Sequence, residues 1–70
     1  MIIIKETFLQ WENHGTRKGS IKITINDQGY YQVYKPHSMV LETVSKDIAF
    51  EEFNSQVEKL LQYNGKIIGD

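Results

Sequence analysis

Seventy residues, 40% of them apolar and 24% charged, make one small domain over residues 1–70, because a chain this short buries only about 60% of its unfolded surface and cannot hold two cores. The formal charge is −1 and there is no cysteine. Those two facts exclude a global attraction to nucleic acid or to an anionic membrane, a disulfide framework and a cysteine-built zinc site. Most secreted domains of this size need such staples, so a cytoplasmic setting is expected.

The chain opens on MIIIK. Three isoleucines fall far short of a signal-peptide core of roughly 7–15 apolar residues or a membrane span of about 20, so the segment reads as the start of a strand. That strand runs from about Ile2 to Trp11, rich in Ile, Phe and Trp. Strict alternation puts Ile2, Ile4 and Phe8 on one side and Ile3, Leu9 and Trp11 on the other, so both sides are apolar. The polar run NHGTRKG, with two glycines, reads as a loop.

SIKITIN is a period-2 strand, Ile21, Ile23 and Ile25 on one face and Lys22, Thr24 and Asn26 on the other. The loop that follows can be chosen by the pattern, since a one-residue slip moves every side chain to the wrong face. A three-residue loop of Asp27, Gln28 and Gly29 pairs Ile25 with Tyr31, Ile23 with Val33 and Lys22 with Tyr34. A two-residue loop would mix the faces. The three-residue loop leaves Lys22, Thr24, Tyr30, Gln32 and Tyr34 on the outer face. KPHS is a second turn, with Pro36 preset for the second position of a type I turn. After it, Met39, Val40, Leu41 and Val44 are apolar on both faces, which reads as a strand that is central or covered on its outer side. Its register against the preceding strand stays open.

DIAFEEFNSQVEKLLQYNG carries Ala49, Phe50, Phe53, Val57, Leu60 and Leu61 at spacings of three and four, the stripe of an amphipathic helix. Asp47 is its expected N-cap and Asn64-Gly65 its stop. The tail KIIGD can add a short strand. The expected fold is α+β: an antiparallel sheet of about four strands in β-β-β-β-α order, with one C-terminal amphipathic helix packed on one face.

No catalytic, cofactor or metal site is expected. None of the four serines has the flanking glycines of a nucleophile elbow, His14 and His37 lie in separate turns, and Glu51-Glu52 diverge by about 100° on the helix. NGKIIG and HGTRKG lack the flanks of a phosphate loop. No small-molecule substrate is evident, and no membrane association is expected. One helix covers one face, so the other face, with Tyr30, Gln32, Tyr34, Lys22, Val40 and Val44 and with Arg17 and Lys18 in the adjoining loop, is the candidate interaction surface. Tyrosine and arginine are favoured at protein hot spots, so docking to a protein partner or a homodimer is the first expectation. Tyr30 and Tyr34 beside Lys22 also match single-stranded nucleic-acid binding, the alternative. The plain reading is that the tyrosines only cover a sheet.

Overall fold

The computed structural model describes residues 1–69. The elements are β1 (Ile2–Glu12), β2 (Thr16–Ile25), β3 (Tyr31–Lys35), β4 (Ser38–Thr43), α1 (Lys46–Gln62) and β5 (Lys66–Gly69). All strand pairs are antiparallel, in the order β4-β3-β2-β1-β5. The β2–β3 register is Lys22↔Tyr34, Ile23↔Val33, Thr24↔Gln32 and Ile25↔Tyr31, as the three-residue loop requires. Asn26 closes that loop. Its side-chain Oδ1 accepts from the Gln28 and Tyr30 amides, each at 3.0 Å, and its carbonyl accepts from Gly29 at 3.1 Å, where φ is +85°.

The chain then has to cross the sheet. β4 and β5 run in the same direction at opposite edges, so α1 carries the chain over one face from edge to edge. Seventeen residues of helix give about 25 Å, enough to span four strand spacings of about 4.8 Å. On that inner face Leu9, Ile21, Ile23 and Val33 of the sheet meet Ala49 and Phe53 of the helix, all essentially inaccessible to solvent. Trp11, Tyr31, Leu41, Phe50, Val57 and Leu60 pack around them. Leu61, expected on the helical stripe, is 41% exposed.

Both helix ends are set by named groups. Ser45, not Asp47, is the N-cap, its Oγ accepting from the Ile48 amide at 3.3 Å, and Asp47 sits in the first turn, where the helix dipole favours its charge. At the other end Asn64 takes φ +64° and the Gly65 amide reaches back to the Leu60 carbonyl at 2.9 Å, a Schellman stop. A Cβ on Gly65 would lie 2.3 Å from that carbonyl oxygen, so glycine is required there by contact.

Four further sequence expectations change. The polar run after β1 is mostly strand: β2 begins at Thr16, leaving a three-residue turn of Asn13, His14 and Gly15. Gly19 pairs with Leu9, and a Cβ there would stand 3.0 Å from both Trp11 Cη2 and Pro36 Cγ. Its glycine admits an indole and a proline ring and does not mark a loop. The β3–β4 turn has only Pro36 and His37 at its centre, with His37 at φ +78°, the value of a type II turn and not type I. β4 is an edge strand, neither central nor covered.

The fourth change concerns the strands that looked apolar on both faces. Between Ile3 and Lys5 the β1–β2 register shifts by one, and between Val33 and Tyr34 the β3–β4 register does the same, so Ile4 and Val40 are bulge residues. A third bulge places Ile68 out of step on β5. Because paired residues share a face, Ile2 turns to the inner side with Ile25 and Ile3 to the outer side with Thr24, the reverse of strict alternation. Val40 packs against the core. Each bulge thus lies on a strand with a free edge, and the internal strands β2 and β3 have none of their own. Lys5 adds to this edge control: it pairs with Ile23, and so lies on the inner side, with its Nζ 4.9 Å from the Phe53 ring centroid and 5.9 Å from that of Phe50.

Candidate docking face

With α1 on the inner face, the outer face is built by alternate residues of four strands. Reading across β4, β3, β2 and β1, one row is Glu42, Gln32, Thr24 and Ile3, and the next is Met39, Tyr34, Lys22 and Glu6; Ser20 and Phe8 follow on β2 and β1. The first row is a hydrogen-bonded relay. Thr24 Oγ1 donates to Gln32 Oε1 at 3.1 Å and Gln32 Nε2 donates to Glu42 Oε2 at 2.8 Å. Thr24 is fully buried although no helix covers it. In the second row Lys22 Nζ lies 5.4 Å from the Tyr34 ring centroid. Ser20 Oγ donates to Glu6 Oε2 at 2.7 Å.

The polar centre is therefore satisfied within the chain. Around it stand exposed apolar groups: Ile3 and Phe8 on β1, 48% and 44% exposed, and Met39 on β4, 48% exposed, beside half-buried Tyr34. At the corner where the β3–β4 turn rises next to β2, an open groove of about 500 Å³ runs between Lys18, Lys22, Tyr34, Lys35, His37 and Met39. Lys18, Lys22 and Lys35 line it, and no Asp, Glu or Arg among the described residues is in the lining.

The structure sorts the sequence-derived site residues into three groups. Lys18, Lys22, Gln32 and Tyr34 come together on the outer face; Lys18 does so because β2 extends to Thr16 and places it in register with Gln10. Tyr30 and Val44 lie at the opposite end of that face from the groove, Tyr30 closing the β2–β3 loop and Val44, 68% exposed, beyond the end of β4. Arg17 and Val40 go elsewhere. Arg17 is in register with Trp11, on the other side of the sheet, and its Nε donates to the Asn13 carbonyl at 3.2 Å, while Val40 turns to the core through its bulge. Phe8, Met39 and His37 were not expected on the interaction surface. Phe8 could have been found by noting that Leu9 and Trp11 claim the core side of β1; the outward turn of Met39 depends on a bulge.

Comparison with protein-family models, with curated proteins and with solved structures returns no match to this chain. His14 and His37 occupy separate turns, both with positive φ. Among the described residues no three His, Cys, Asp or Glu side chains converge as a metal cluster, and no helix is long and apolar enough to cross a membrane.

Proposed function

We propose that this chain is a small non-enzymatic binding or regulatory protein of the cytoplasm that docks to another protein through the outer face of its sheet. The observation that carries the reading is the composition of that face: Ile3, Phe8 and Met39 stand about half exposed around a polar centre whose members already bond one another. Exposed apolar groups gain free energy when a partner covers them. Thr24 and Gln32 already bond within the chain, so covering them costs less than covering unbonded polar groups. Such a mixed surface resembles a non-obligate interface more than a missing half of a core. The edges, by contrast, are blunted by three bulges and an inward lysine, which favours attachment by face over strand addition.

The test is position-dependent photocrosslinking in the native cell. A benzophenone side chain at position 8 or 39 is expected to give a discrete adduct, and one at Glu51 or Glu58 on the exposed side of the helix is expected to give none. Adduct mass separates a second copy from a different protein. Adducts of equal yield from both faces, or none from either, would refute the docking reading.

A further inference from the structure

We infer that the groove at the turn end of the outer face receives an acidic, carboxylate-bearing segment of the docked protein, an assignment that rests on the docking reading above. Its charge is the first reason. The chain as a whole is at −1, yet Lys18, Lys22 and Lys35 converge on one groove with no carboxylate in its lining. Three cationic side chains in the lining of one groove give it a positive potential, which a partner carboxylate complements. The floor is the second reason. Pro36, Met39 and Tyr34 supply apolar surface next to the cations, which suits a peptide that alternates acidic groups with aliphatic backbone and side chains.

A polynucleotide would use the same cations, and two features disfavour it. Base stacking needs an open aromatic face, and the groove's one tyrosine has Lys22 Nζ over its ring at 5.4 Å. The groove is also short. Glu6 pairs with Lys22 on one side, and Glu42 stands on β4 on the other. A phosphate backbone carries charge without interruption and would run onto these carboxylates as it left the groove. A peptide with a local acidic cluster would not.

The experiment is an amide-resolved NMR titration of the whole chain with acetyl-hexaglutamate amide, with acetyl-hexaglutamine amide as the neutral control and hexathymidylate as the nucleic-acid arm. The expected result is salt-sensitive shifts confined to Lys18, Lys22, Tyr34 and Lys35 with the glutamate peptide and none with the glutamine peptide. Lys22→Gln, and separately Lys35→Gln at an exposed position that cannot threaten folding, should each weaken binding about threefold, the size expected for one exposed charge pair. Hexathymidylate binding more tightly through the same amides would overturn the inference in favour of nucleic acid. Concentration-dependent shifts of the chain alone, at the groove and at Glu51 or Glu58 together, would overturn it in favour of a second copy. No shifts, or shifts elsewhere, would also overturn it, while leaving the docking reading to the crosslinking result.

Discussion

The hydrogen bond between Thr24 and Gln32 can be cut from either end, and the two cuts should differ in cost. Thr24 is fully buried and Gln32 is half-buried. In Thr24→Val the orphaned Gln32 Oε1 can turn to water, and the added methyl is buried, so the loss should stay below about 1 kcal/mol. In Gln32→Met the Thr24 hydroxyl keeps its buried position and loses its acceptor at 3.1 Å, which costs about 1–3 kcal/mol. A domain of 70 residues has a total stability of roughly 4–10 kcal/mol, so the second change removes a large share. With a urea slope near 1 kcal/mol/M for a chain this size, the unfolding midpoint should fall by about 2 M for Gln32→Met and by less than about 1 M for Thr24→Val. The methionine also forfeits the exposed bond to Glu42, and Glu42→Ala measures that share on its own. Urea titrations followed by circular dichroism give all three values. If Thr24→Val costs as much as Gln32→Met, the account of the relay is wrong.

Two further outcomes follow from the edges and the helix stop. Lys5→Ile should change the unfolding free energy by less than about 1 kcal/mol, since a lost cation–π contact of about 0.5–1 kcal/mol is offset by better strand propensity; sedimentation velocity should nonetheless show concentration-dependent association, and a K5I chain that sediments like the parent at every concentration would remove Lys5 from edge protection. Gly65→Ala must move a Cβ that would lie 2.3 Å from the Leu60 carbonyl oxygen, so a loss of about 1–3 kcal/mol is expected by urea titration. An unchanged midpoint would mean that the helix ends without the Gly65–Leu60 bond.

The parts of the fold that could be read from the sequence were those where one physical choice excluded its rival. The β2–β3 register was readable because only one loop length keeps Ile21 and Ile23 on one face with Val33. The helix was readable from its stripe, and its stop from Asn64-Gly65. Gly19 misled because a glycine in a polar run looks like a turn, and its cause, contact with Trp11 and Pro36, joins residues far apart in the chain. Asp47 looked like the cap because its side chain can serve as one, but the path out of β4 starts the helix earlier and gives that place to Ser45. The candidate face was half legible. Lys22, Gln32 and Tyr34 followed from the hairpin, whereas Arg17, Lys18 and Val40 depended on where β2 starts and where β4 bulges.

Ile4, Val40 and Ile68 are each one residue more than the neighbouring strand can pair. Their side chains are ordinary strand formers, so it is the number of residues that interrupts each edge and not their chemistry. Exchanging Ile4 for valine or threonine would leave the interruption intact. Deleting it would keep every cross-strand partner on either side and turn β1 into an unbroken ribbon with an open margin. For this chain a one-codon loss is therefore a greater hazard to solubility than most substitutions at the same positions, and the surplus residues are best regarded as punctuation that ends the sheet.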